Sequence, residues 1–238
     1  MDGYAVPEGG GIRTPRRPDP SSFSLRLAVE GELVDIAALF APALEPYRGG
    51  SDWILDLYLA DLLDVGSRFE AAETLVAVQN ERIVGSVAFY PDVVLEGWSN
   101  LPAGWAGFRA LVVDPCARGA GIGRALVERC FERGRELGGP TLGIHTIALL
   151  ADAVCLYERL GFSRCPEFDL RAADVFHAAG ADMTVLAFRY DLGQPRSDAR
   201  QSIGPRTVTE PGVTTYPKRS LSLRIGSLRS SFCVSSRS

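Results

Sequence analysis

The sequence has little histidine: among 238 residues only His145 and His177 occur. Its five cysteines, Cys116, Cys130, Cys155, Cys165 and Cys233, form no C-x-x-C pair. Without clustered Cys and His there is no ligand set for a structural zinc, and no metal is expected. The odd cysteine count fits reduced thiols, three or four of them in or near the core, with Cys155 read as a core residue. Long apolar runs are also missing. The most apolar stretch, residues 144–157, is short and is interrupted by His145 and Asp152, so no membrane partner is expected. Residues 1–22 contain no apolar signal core, which sets the expected location as cytoplasmic. Positive charge is not in excess either. The formal net charge of −4 argues against a generic nucleic-acid binder.

What is present is ordinary globular material, 46% hydrophobic and 23% charged, enough for one sizeable core. Residues 1–22 are rich in Gly, Pro and Arg and read as a flexible extension. Residues 193–238 read as a disordered Ser/Arg-rich tail. From Asp191 to the end there are eight basic and three acidic side chains, a net of +5, which leaves −9 on residues 1–190. The domain between these ends is residues 23–192.

Within it the pattern alternates. A short strand is expected at 24–28 and helices at 32–40 and 54–63. An antiparallel hairpin is expected from 74–78 and 83–90, joined by Asn80, Glu81 and Arg82. A loop over 91–104 carries Trp98 and leads to Trp105. Residues 108–113 form an apolar strand of the kind buried on both faces. A helix over 121–137 shows an apolar stripe of Leu126, Val127, Cys130, Phe131 and Leu137. A strand at 141–147, a helix at 149–160 and a last strand at 183–190 complete the fold. The class is α/β, an α+β sandwich: a mixed, mostly antiparallel central sheet with helices on both faces.

The sharpest local signal is Val113-Asp114-Pro115-Cys116-Ala117-Arg118-Gly119-Ala120-Gly121-Ile122-Gly123-Arg124. A buried strand ends, Pro115 breaks it, and a glycine-rich turn opens into a helix. Glycines let the backbone come close to a ligand, and the first amides of a helix lack internal partners. With the helix dipole these make an anion site fitted to a diphosphate, to which Arg118 and Arg124 add charge. The run lacks the G-x-x-x-x-G-K-S/T of a nucleotide P-loop. Nor is it a dinucleotide fingerprint, because Arg124 stands where the third glycine would be and the segment follows a hairpin. A tight turn without ligand is the bland alternative.

Arg118-x-x-Gly121-x-Gly123 after Val-Asp-Pro, followed one helix and one strand later by Leu156-Tyr157-Glu158-Arg159-Leu160-Gly161-Phe162, resembles the two motifs of the GNAT superfamily of N-acetyltransferases. The resemblance covers about residues 23–192. It implies that acetyl-CoA is the co-substrate, with its diphosphate on Arg118, Gly119, Ala120, Gly121, Ile122, Gly123 and Arg124. The pantetheine arm would pair with the backbone of Leu111, Val112 and Val113 as an added strand. The implied reaction is direct attack by a primary amine of a small molecule, peptide or protein on the thioester. The Val112 or Val113 N–H would hold the oxyanion, and Tyr157 would be the general acid. The general base is not legible. His145 is a weak candidate against the reading of a satisfied structural histidine, and Glu73 and Asp169 are weaker still. Leu150 stands where many members place an asparagine against the pantetheine. The loop with Trp98 and Trp105 and the segment 170–182 are expected to border the acceptor. A non-catalytic acyl-CoA-binding module is the alternative function, and a homodimer is compatible with either.

Overall fold

The computed structural model describes residues 22–49, 52–178 and 183–193. Cys233 and the expected flexible ends, bar the residues next to the domain, lie outside the described residues. Eight strands form one sheet: β1 (Ser24–Leu27), β2 (Glu73–Gln79), β3 (Arg82–Tyr90), β4 (Ala106–Val113), β5 (Thr141–Ile147), β6 (Ser163–Arg164), β7 (Leu170–Arg171) and β8 (Thr184–Asp191). Their order is β1-β2-β3-β4-β5-β8-β6, with β7 also on β8. All neighbours are antiparallel except β4 and β5. The expected hairpin is present, and Asn80 and Glu81 make its turn at φ 50° and 62°, the left-handed values that a two-residue hairpin turn needs.

Helices cover both faces. On one lie α1 (Leu33–Ala38), α2 (Phe40–Leu44), α3 (Asp52–Leu63) and α4 (Val65–Ala71); on the other lie α5 (Ile122–Glu136) and α6 (Ala151–Arg159). A one-turn helix, α7 (Ala172–Val175), joins β7 to the approach to β8. The α5 and α6 side encloses Phe89, Phe108, Leu126, Phe131, Leu142, Phe162 and Phe188. The other side encloses Ile36, Phe40, Leu55, Leu62, Val76 and Val185.

Several expectations are corrected. The helix expected over 32–40 starts as a 3-10 turn at Glu30–Glu32 and breaks at Leu39, giving two short helices. Pro42, with no N–H to donate, sits in the second of them. Residues 65–71 are helical although no helix is expected there: Asp64 caps them, its side chain accepting from the Ser67 N–H. Arg68 is 7% exposed and donates to the Asp61 and Leu62 carbonyls, closing the C-terminal end of α3. Cys155 is exposed, not core; Cys130 and Cys165 are the buried thiols among the described residues. At period 3.6, position 155 falls on the open side of α6, whereas Tyr157 falls on the covered side.

Candidate active site

The site begins with a fault between the two parallel strands. β4 and β5 are in register only at Ala106–Leu142 and Gly107–Gly143. Beyond that rung the strands diverge, and from Phe108 onward the β5-facing edge of β4 has no strand partner. The cause lies within β4. Its register on β3 slips between Arg109 and Val112, and Ala110 takes φ 54°, so an extra residue bends the strand away. Strain of this kind in a non-glycine residue is costly, and it is commonly kept where a site needs it. Tight packing holds the apex of the divergence. A Cβ on Gly107 would stand 2.6 Å from Val93 and 2.8 Å from the Gly143 carbonyl, so only glycine lets the loop after β3 close over this rung.

At the far end of β4, Asp114 accepts from the Cys116 N–H and its carbonyl takes the Ala117 N–H. The turn then enters α5 through Gly119 and Gly121, at φ 83° and 80°. Among the described residues the amides from Gly119 to Arg124 find no acceptor, and a Cβ on Gly119 or Gly121 would meet nothing within 4 Å. A row of unpartnered N–H groups over open space, on the positive end of a fifteen-residue helix, is an anion cradle. Arg124 stays at its rim, paired along the helix with Glu128 at 2.8 Å. Arg118 turns instead to the groove wall. It donates to the Ala43 carbonyl at 3.1 Å and lies 3.8 Å from Asp152, which also accepts from the Tyr47 hydroxyl at 2.9 Å.

The cradle opens into a groove of about 580 Å³ between α2, the end of β4 and α6. Of the residues expected to hold the cofactor, Leu111, Val112, Val113, Arg118, Gly119, Gly121, Ile122, Gly123 and Arg124 line it; Ala120 does not. Leu150, Cys155 and Leu156 line it as well, so Leu150 does face this groove, with an apolar side chain. A narrower chamber lies in the opening between β4 and β5, bounded by Tyr58, Trp98, Arg109, His145, Tyr157 and Phe176. Groove and chamber share Tyr58, Leu111, Leu150 and Ala153. They therefore meet at these four side chains.

Tyr157 is held by Phe162, Phe108 and Phe188, with ring centroids 5.6, 5.8 and 6.1 Å away. Burial, reinforced by the nearby Tyr58 hydroxyl, pushes its pKa well above the ordinary tyrosine value, so its proton is present at any working pH. Tyr58 is raised to about 12, mainly by burial. His145 is neutral: burial lowers its pKa against the opposing pull of the Phe168 carbonyl and Asp169. Its Nε2 lies 3.0 Å from the Phe168 carbonyl. A carbonyl only accepts, so Nε2 carries the hydrogen and Nδ1 keeps the lone pair. That Nδ1 is buried and has no partner among the described residues, so the histidine is only half satisfied. Asp169 is occupied. Burial favours its neutral form, but two hydrogen bonds from Arg164 and one from the Ala187 N–H outweigh this and hold it below the usual carboxylate range. Glu73 accepts from Nη2 and Nε of Arg133, at 2.7 and 2.8 Å. Trp98 lines the chamber, whereas Trp105 packs below it against Phe168. From the 170–182 segment, Val175 and Phe176 reach the chamber; residues 179–182 lie outside the described residues.

Sequence reasoning missed a charged group beside the chamber. Arg109 of β4 pairs with Asp61 of α3 at 2.5 Å and stands 4.9 Å over the Trp98 ring. Glu96 lies near both, and its pKa is raised to about 8 by burial, with Arg109 pulling it back and Asp61 adding to the rise. Tyr58 and Asp61, three residues apart on one helical face, signal this site only once α3 is known to cover β4. Among the described residues no cluster of His, Cys, Asp and Glu is arranged to hold a metal, and no helix is long and apolar enough to cross a membrane.

An unpaired strand edge, an amide cradle at one end and a junction of two cavities at the other are what an enzyme needs to present an acyl-CoA to a nucleophile, so the class is acyltransferase. The comparisons agree. The sequence model of the acetyltransferase (GNAT) domain matches residues 70–164. An "IAA acetyltransferase" of Azospirillum brasilense is 31% identical over 144 residues, 59% of this chain and 85% of the relative. Among solved structures, the ribosomal-protein-S18-alanine N-acetyltransferase from Escherichia coli superposes with a TM-score of 0.51 at 16% identity, covering 73% of this chain and 96% of that one. A GNAT-family acetyltransferase from Staphylococcus aureus gives 0.52 at 13% identity, over 72% and 99%. These two likenesses concern the fold. The Azospirillum relative, together with the domain match, establishes that the chain belongs to the GNAT family of acetyltransferases.

Proposed function

We propose that the protein transfers an acetyl group from acetyl-CoA directly to a primary amine of a small molecule, a peptide or a protein. The observation that carries this is the meeting of the two cavities at Leu111, Leu150, Ala153 and Tyr58, with the Tyr157 ring in the chamber wall beside them. The diphosphate sits on the amides from Gly119 to Arg124, and Arg124 supplies charge at the rim. Arg118 braces the groove through Ala43 and Asp152, and Ala120 contributes only its backbone. The pantetheine amides take the free edge of β4 at Leu111, Val112 and Val113, which places the carbonyl where the strands part. The attacking nitrogen arrives from the chamber as a neutral amine. A backbone N–H of Val112 or Val113 stabilises the oxyanion. As the C–S bond breaks, the Tyr157 hydroxyl gives its proton to the leaving thiolate. His145, neutral and with a free Nδ1, is the hydrogen-bond acceptor on the path by which the amine proton leaves. The Azospirillum relative is named for IAA and the Escherichia coli one for an alanine of a ribosomal protein, so small-molecule and protein acceptors are both carried forward.

The test pairs calorimetry of acetyl-CoA binding with a thiol-release assay over a panel of amines. Binding together with amine-dependent thiol release is expected. Binding without release for any amine would favour a non-catalytic acyl-CoA-binding module. No binding would remove acetyl-CoA as co-substrate.

A further inference from the structure

Three buried polar side-chain atoms have no partner among the described residues: Glu96 Oε1, Trp98 Nε1 and His145 Nδ1. Buried polar atoms are nearly always paired, so each orphan asks for an unseen partner, commonly water. These three also belong to one place. Glu96 Oε1 lies 3.2 Å from where a Cβ on Gly107 would stand, on the last rung that joins β4 and β5. Side chains two residues apart on a strand share a face. On the face of Gly107 and Gly143, the next positions past that rung are Arg109 and His145, and both line the chamber. Trp98 bridges them: its ring is 4.9 Å from the Arg109 guanidinium carbon and 5.2 Å from the His145 ring. A carboxyl at the apex thus faces two chamber residues about 7 Å farther along the strands, a gap that one or two waters span.

The three orphans are complementary. Trp98 Nε1 can only donate, His145 Nδ1 accepts, and a Glu96 carboxylate accepts. A water among them would take the indole N–H and donate to the other two. We propose that Glu96 is the final proton acceptor for the substrate ammonium, reached from the chamber through a water held by Trp98 and His145. This rests on the transfer reaction proposed above. The ammonium N–H bond breaks and its proton joins the water oxygen, as one of the water's own protons passes to the Glu96 carboxylate; the water's other hydrogen stays on the His145 Nδ1 lone pair, and Nε2–H stays on the Phe168 carbonyl. The amine, now neutral, forms the N–C bond. As the C–S bond breaks, the thiolate takes its proton from Tyr157, and the second proton released by the nitrogen restores the Tyr157 hydroxyl. Acid and base are therefore separate groups.

The charges around Glu96 set the pH at which it acts. Arg109 faces it from β4, Asp61 from α3 and Tyr90 from β3. With Glu96 raised to about 8 by burial, the ionised and competent fraction grows as pH rises through that value. This makes Glu96 a positioning residue of the proton path, distinct from a group that touches substrate.

The test uses the full chain with benzylamine, protonated at neutral pH, and hydroxylamine, largely neutral there, in single-turnover thiol release. Glu96→Gln is expected to lose on the order of 10²-fold with benzylamine, to lose the rise in kcat/KM near pH 8, and to keep hydroxylamine transfer and acetyl-CoA affinity. Glu96→Asp should recover part of the benzylamine rate. Trp98→Phe, which keeps the ring over Arg109 but removes the N–H, should show the same discrimination at smaller size, and it serves if Glu96→Gln does not fold. Equal losses with both acceptors, or none with either, would overturn the relay while leaving the transfer reaction standing. Wild-type protein that binds acetyl-CoA but does not acetylate benzylamine would overturn it too. Failure of the wild type to bind acetyl-CoA at all would instead remove the cofactor reading on which the relay rests.

Discussion

Tyr157→Phe separates chemistry from packing more cleanly than any other single change here. Tyr157 is 6% exposed and its ring is fixed by three phenylalanines. No hydrogen bond to its hydroxyl exists among the described residues, so removing that oxygen leaves no protein group unpaired. Stability should change by less than about 1 kcal/mol, whereas Tyr157→Ala would open a core cavity and cost about 3–5 kcal/mol. The hydroxyl's value is kinetic. A positioned general acid contributes on the order of 10²–10⁴-fold, equivalent to about 2.7–5.4 kcal/mol of barrier. The assay is single-turnover thiol release at saturating acetyl-CoA, beside thermal melts and calorimetry of both proteins. The expected result is an unchanged melt, unchanged cofactor affinity and a transfer rate lower by at least about 10²-fold. A Tyr157→Phe protein that transfers at the wild-type rate would refute the acid role and reduce the ring to a wall of the chamber.

Other consequences follow from the same geometry. Gly121→Val forces a branched side chain to φ 80° and fills the open cradle, so acetyl-CoA affinity should drop by at least about 10²-fold by calorimetry, well beyond the ~1–2 kcal/mol of backbone strain. Gly123→Ala should fold normally, since its Cβ would meet Leu156 and Val113 only at 3.6 Å; a large loss of melting temperature would contradict this. Cys155 is exposed on the groove, so acetyl-CoA should slow its alkylation as read by peptide mass mapping, and unprotected labelling would place the cofactor elsewhere. Glu96 should make stability fall with pH. Its folded pKa of about 8 lies above the ordinary 4.5, so its contribution is intact below the unfolded value and is lost as pH rises toward the folded one. Glu96→Gln should flatten that decline in denaturant titrations between about pH 5 and pH 9, by a few kcal/mol at most; parallel curves would show that the carboxyl is not buried.

Strand and helix types are legible because apolar periodicity and turn chemistry agree locally over the hairpin, β4, α5 and β5. The anion loop is legible for a stronger reason: Gly119 and Gly121 take backbone angles that the sequence can signal only with glycine. Other features depend on distance along the chain. Asp61 meets Arg109 across 48 residues, and nothing local marks either as partnered. Glu96 lies within the loop expected over 91–104, where nothing local marks it as buried; its burial comes from Gly107, whose missing side chain admits it. Cys155 reads as core because the stretch around it is apolar, yet one side of α6 opens on the groove. The two-helix break at Leu39 and the short helix from Val65 to Ala71 are set by Pro42 and by the Asp64 cap, signals present in the sequence but weaker than the apolar pattern around them.

The most direct test of how groove and chamber cooperate is a crystal structure with acetyl-CoA bound. The diphosphate should accept from the amides between Gly119 and Arg124. The pantetheine should run along Leu111, Val112 and Val113 as an added strand, and the thioester sulfur should lie within hydrogen-bonding reach of the Tyr157 hydroxyl. A cofactor whose diphosphate avoids that loop, or whose thioester ends away from the junction shared by Tyr58, Leu111, Leu150 and Ala153, would contradict the proposed site.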